Sequence, residues 1–151
     1  MEAFDADVQL LPQWVQYWMN FMGAVIIVST LSYMFRRDTR LLSLYLLVTT
    51  VLMVFAMTWM HGQMGMVRLL GIVHIVFWVP LIFYLWGRLQ NNPPGRVLTI
   101  VTWVLFVTLS ISLIFDFYDV FRWIAGERAP IVSATLSWNQ LRFATFEHLQ
   151  L

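Results

Sequence analysis

The sequence predicts an all-α integral membrane protein: an antiparallel bundle of four transmembrane helices with an interfacial C-terminal segment. Three observations carry that reading. Four apolar stretches each approach the roughly 20 residues that a helix needs to cross a bilayer core of about 30 Å. Hydrophobic residues make up 60% of the chain's 151 and charged residues only 11%, more apolar surface than a soluble domain this short can bury. Short breakers separate the stretches (RRDTR, HGQMG and NNPPGR), so consecutive helices should pack antiparallel.

The N-terminal MEAFDADVQLLPQW is acidic and lacks the basic n-region of a signal peptide. It is expected to lie outside the bilayer, with the first apolar segment retained. The first span is expected at about 14–35, WVQYWMNFMGAVIIVSTLSYMF, and the second at about 41–60, LLSLYLLVTTVLMVFAMTWM. The third covers about 67–89, where Pro80 predicts a kink because it lacks a backbone donor. The fourth covers about 97–117, with room for its helix to continue to Ile124. Residues 1–126 thus form the membrane domain and 127–151 an extramembrane or interfacial tail. In that tail SWNQLRFATFEHLQL reads as a short helix, with Ser137 as candidate N-cap and Trp138, Leu141 and Phe146 facing the membrane or a docked partner.

Arginines in short loops set the expected direction. Arg36, Arg37 and Arg40 lie in the first loop, and Arg88 and Arg96 flank the third. The second loop has only Arg68, and the N-terminal tail has Glu2, Asp5 and Asp7 but no base. Both termini are therefore expected outside a bacterial-type inner membrane, against mild dissent from Arg122, Arg128 and Arg142. Trp14, Tyr17, Trp18 and Trp59 would form the outer aromatic belt, and Tyr84 and Trp86 the inner one.

Composition excludes several classes of function. The net charge is +1, which gives nucleic acid no clustered basic surface. There is no cysteine and all nine basic residues are arginine. Disulfides, thiolate metal sites, iron–sulfur clusters and Schiff-base lysines are thereby removed. No GxSxG, HExxH or Walker-type loop occurs. A voltage sensor needs arginines spaced through one helix, and the fourth span has none between Arg96 and Arg122.

Depth singles out the remaining polar residues. His61 closes the second span and Arg68 opens the third, while His74 lies six residues further, roughly 9 Å deeper. Asn20 falls at a similar depth on the first span. Asp116 is nineteen residues past Val97, roughly 28 Å along the fourth span and again near the outer edge. Asp119 and Arg122 follow at i+3 steps on the same helix face. The inner half offers only the hydroxyls of Ser29, Thr30, Ser32, Thr49, Thr50, Thr99 and Thr102. An outer pocket of Asn20, His61, Arg68, His74, Asp116, Asp119 and Arg122 is therefore expected, since ionisable groups in a membrane are costly and mark ion paths, ligands or cofactors.

Transport of an ion, proton or small solute, or ligand binding, follows as the leading expectation. A four-helix bundle is thin for a pore, so a homo-oligomer or a larger membrane complex is expected with it. The alternative is a redox or metal-handling subunit. Met53, Met57, Met60 and Met64 step by 4, 3 and 4 on the second span, and Met57 and His61 are i, i+4 neighbours. With His61 and His74, Met57, Met60 and Met64 offer soft donors to copper; the two histidines could instead hold haem b, or His74 and Arg68 a quinone. A third expectation is an accessory scaffold subunit. Plainer accounts stand beside these: methionine as core filler, His74 bonded to Asn20 or a backbone carbonyl, and Asp119 paired locally with Arg122.

Overall fold

The computed structural model describes residues 2–65, 67–91 and 93–128, with side chains from Ala6 onward. The described chain is five α-helices and one short 3-10 turn. A short α1 (Glu2–Gln9) precedes α2 (Gln13–Met34) and α3 (Arg40–Met64). The 3-10 turn Arg68–Leu70 leads into α4 (Gly71–Asn91), and α5 (Arg96–Ile124) completes the bundle. Four stretches, Gln13–Met34, Arg40–Met64, Arg68–Asn91 and Arg96–Ile124, are long and apolar enough to cross a membrane. The chain is a multi-pass helical membrane protein.

The elements differ from the sequence expectation at their ends. Residues 2–9 form a helix where the sequence suggests only an acidic tail. α3 runs through Gly62 to Met64 and ends at Gly65, whose φ of +71° suits only glycine, with its N–H on the His61 carbonyl at 2.8 Å. Pro80 sits within α4, which continues past it to Asn91. α5 runs unbroken from Arg96 to Ile124, which keeps Asp116, Asp119 and Arg122 on one helix. Of the tail only Glu127 and Arg128 are described; Ser137, Trp138, Leu141 and Phe146 lie outside the described residues.

The four long helices form a closed square. α2 lies against α3 and α5, and α4 lies against α3 and, most extensively, α5. Helical periodicity explains which faces meet. Ile26, Ser29 and Tyr33 of α2, Leu42, Leu46, Thr49 and Met53 of α3, Trp78, Leu81, Leu85 and Leu89 of α4, and Leu98, Thr102, Leu105 and Leu109 of α5 are buried at 3- and 4-residue steps. The opposite faces expose large apolar side chains such as Leu41, Phe55, Phe83 and Val97, which suits a lipid solvent.

Five of the seven inner hydroxyls, those of Thr30, Ser32, Thr49, Thr99 and Thr102, donate to backbone carbonyls of their own helices, as a medium without water demands. Tyr33, fully buried, and Thr102 share a hydrogen bond of 2.7 Å. Thr102 also donates to the Leu98 carbonyl and Ser43 to the Thr30 carbonyl. Thr39, the residue before α3, closes the first loop by donating to the Tyr33 carbonyl at 2.8 Å.

Candidate functional site

The polar residues expected to converge fall into three sets at one end of the bundle. The deepest joins α4 to α5. Gly71, His74 and Trp78 fall on one face of α4 at i, i+3 and i+7. A side chain at Gly71 would put its Cβ 3.1 Å from Asp116 Oδ1 and 3.2 Å from Asp116 Cα, so the glycine lets the two helices approach. One turn deeper, His74 Nδ1 lies 3.1 Å from Asp116 Oδ1. The imidazole stacks on the buried Trp78 ring, with centroids 4.3 Å apart and planes 16° from parallel. Carboxylate and indole together fix the ring. Asp116 Oδ2 is buried and has no hydrogen-bond partner among the described residues.

The second set is an ion-pair network nearer the helix ends. Arg68 donates to Asp119 Oδ1 at 2.7 Å, and its Nε lies 3.6 Å from Glu127 Oε2. Arg122 pairs with the same Glu127 carboxylate. Asp119 therefore pairs across to the 3-10 turn rather than locally with Arg122. The helix phase explains this: the turn carrying Arg68 packs on α5. Glu127, just past the helix, takes Arg122 instead.

The third set joins α1 to α3. His61 Nε2 lies 2.8 Å from Asp7 Oδ2. Nearby, Val67 and Leu70 bury themselves with Val8 and Met57 against them, so α1 is held by the His61–Asp7 hydrogen bond and a small apolar cluster. Each of the two described histidines, His61 and His74, thus meets its own carboxylate.

Asn20 does not join these sets. The core face of α2 is set by Met22, Ile26, Ser29 and Tyr33, and Asn20, two residues before Met22, points about 200° away. It is exposed, and among the described residues no hydrogen bond ties it to His74. Trp18 departs from the expected belt as well. Its indole N–H donates inward to Ser112 Oγ at 3.0 Å, and that oxygen sits 3.1 Å from Met22 Sδ.

The methionine stripe is divided by the fold. Met53 is buried, Met57 and Met60 are half-buried, and Met64 is exposed. Met57 and His74 line one cavity of about 290 Å³, together with Met19, Met22, Gly23 and Ile26 of α2 and Thr50 and Met53 of α3. His61, Met60 and Met64 are not among its lining residues. The cavity is open on one side and its wall is largely apolar. Among the described residues no group of three or more His, Cys, Asp or Glu is placed to hold a metal ion.

Sequence reasoning missed Asp7, Met19, Met22, Gly71, Trp78 and Glu127. GIVHIVFW carried a usable signal, because Gly, His and Trp at i, i+3 and i+7 share one helix face. Comparison with protein-family models, curated proteins and solved structures finds no match, so the site is read from its own chemistry.

Proposed function

We propose that this chain binds a membrane-soluble molecule with a flat, oxygen-bearing head, the chemistry of a quinone or quinol, in the cavity between α2 and α3. The observation that carries the reading is His74: fixed by Asp116 and Trp78, it is the one ionisable side chain on that wall. With Nδ1 committed to Asp116, Nε2 is the ring nitrogen left for a ligand. Neutral imidazole with Nδ1–H donating to the carboxylate leaves Nε2 an acceptor for a hydroxyl. Once protonated, the ring donates from Nε2 to a carbonyl. Quinol and quinone present those two groups in turn.

The lining supports a ring rather than an ion. Met19, Met22, Met53 and Met57 offer thioether contacts that favour aromatic edges. A cavity of about 290 Å³ holds a small head group and leaves a hydrophobic tail to run out through its open side. The reading is of binding, with no electron-transfer step assigned. Oligomerisation belongs to it: Asn20 on the outer face of α2 favours a second membrane helix beside it. The arginine asymmetry supports an inner-membrane orientation with both termini outside.

A second reading has its own observation. The same methionines with His74 Nε2 are a soft donor set for copper(I). The room around them favours an organic ligand.

Equilibrium binding of decylubiquinone to purified protein in detergent micelles tests the reading. Wild type should bind saturably at one per chain. Gly23→Leu, which places a side chain in open space at the cavity wall, should abolish saturation. Linear partitioning alike for both proteins would refute the quinone reading. A Soret band or stoichiometric copper in the purified protein would replace it with the redox or metal alternative. Ion flux in proteoliposomes, lost in Asp116→Asn, would favour transport instead.

A further inference from the structure

The opposite end of the bundle carries an unbalanced charge. Residues 35–40 and 88–96 contain Arg36, Arg37, Arg40, Arg88 and Arg96 but only one acid, Asp38. That carboxylate is shared, 3.6 Å from Arg36 Nε and 3.7 Å from Arg88 Nη2. Arg36 otherwise donates to the Pro94 carbonyl and Arg40 to the Met34 carbonyl. Arg37 and Arg96 make no hydrogen bond or ion pair among the described residues. At the histidine-bearing end, by contrast, Arg68 and Arg122 both meet carboxylates.

Arg88 is the most constrained of the five. Its side chain is mostly buried, its Nη2 donates to the Asp38 carbonyl at 3.1 Å, and its buried Nε has no partner among the described residues. Protein groups leave this guanidinium under-satisfied, and a buried unpaired donor is costly. Directly below it lies a groove of about 410 Å³ between α3 and α4, lined by Leu41, Leu42, Tyr45, Pro80 and Tyr84. Arg88 follows Tyr84 by one helical turn and reaches across to Asp38, three residues before Leu41. It therefore bridges the groove's end at the depth where a lipid headgroup meets its chains.

We propose that this groove holds one anionic phospholipid, its phosphate on Arg88 and drawn also by Arg37 and Arg40 of the loop that carries Asp38, with an acyl chain along Leu41, Tyr45, Pro80 and Tyr84. Charge complementarity selects the occupant. Clustered arginines just outside a span attract anionic headgroups, and the apolar wall beneath takes the chain. Guanidinium matches phosphate with paired donors. A zwitterionic lipid would bring its own cation to an end that already carries excess positive charge.

Native mass spectrometry of the full chain in detergent, with phosphatidylglycerol or phosphatidylcholine of identical acyl chains, tests the proposal. One phosphatidylglycerol should be retained per chain, with roughly tenfold preference over phosphatidylcholine. Dihexanoyl-phosphatidylglycerol, the same headgroup on short chains, and inorganic phosphate should compete weakly. Arg88→Gln should remove most of the preference. Should that variant fail to fold, Arg37→Gln with Arg40→Gln, at exposed positions, should reduce it severalfold. Equal retention of the two long-chain lipids overturns the proposal. So does full displacement by inorganic phosphate or the short-chain lipid, which would make the site a headgroup or phosphate site without the groove. Unchanged preference in the folded arginine variants overturns it too.

Discussion

Gly71→Ala tests whether α4 and α5 meet as closely as the His74–Asp116 pair requires. The added methyl would lie 3.1 Å from Asp116 Oδ1 and 3.2 Å from both the α- and β-carbons of Asp116. Carbon atoms pack best at about 3.5–4.0 Å, so the two helices must part by roughly half an ångström. The clash with the Asp116 main chain decides the sign, because α5 backbone cannot swing aside as a flexible side-chain tip can. Overpacking of this kind costs about 1–3 kcal/mol. Alanine's advantage over glycine, about 1 kcal/mol in a helix interior, is largely absent at the first residue of α4. A net loss of roughly 1–2 kcal/mol follows, together with weaker decylubiquinone binding as His74 and Asp116 separate. Reversible unfolding in mixed micelles measures the first and equilibrium binding the second. Gly87→Ala is the control: it lies inside α4 with nothing near its added methyl, and it should be neutral or stabilise by up to about 1 kcal/mol. Equal stability and unchanged binding in Gly71→Ala would refute the close approach.

Other perturbations separate the polar sets. Trp18→Phe removes the donor to Ser112 and should cost about 1 kcal/mol in the same unfolding assay; no loss would mean the indole faces lipid. Tyr33→Phe should cost about 0.5–1.5 kcal/mol, leaving Thr102 bonded to the Leu98 carbonyl, and should leave ligand affinity untouched. Arg68→Gln breaks a partly exposed network and should cost below about 1 kcal/mol, again with binding unchanged. A large loss of binding there would merge the ion-pair network with the cavity. Asp7→Asn should free α1, seen as faster amide exchange over residues 2–9, while the four spans keep their protection.

The spans were legible in the sequence because hydropathy and length decide them almost alone. RRDTR and NNPPGR break the pattern where the helices end. The helix phase was harder to read. Asn20 and His74 share a depth, yet depth says nothing about which way a side chain points. The periodicity of Met22, Ile26 and Tyr33 turns Asn20 outward. Methionine spacing likewise marked a stripe but not its use. Met57 reaches the cavity wall, whereas Met64, a turn past His61, is exposed. The partners were least legible of all. Asp7 with His61 and Arg68 with Asp119 are joined across 54 and 51 residues of chain, and only tertiary packing brings such pairs together. Gly71 is the exception that a sequence can show, because a glycine one turn from a histidine and two from a tryptophan marks a close helix contact.

In the proposed quinone site, His74 reads the head of a ligand held among the methionines. The most direct measurement is the decylubiquinone affinity of His74→Phe against wild type, in protein shown to be folded by its unfolding transition. Phenylalanine keeps a ring on Trp78 and keeps the cavity wall apolar, but it removes both ring nitrogens, so the bond to Asp116 is lost along with the group offered to the ligand. A loss of roughly tenfold or more is predicted, the worth of one hydrogen bond to an ionisable group. Affinity equal to wild type would contradict the account and leave His74 a packed ring bonded to Asp116.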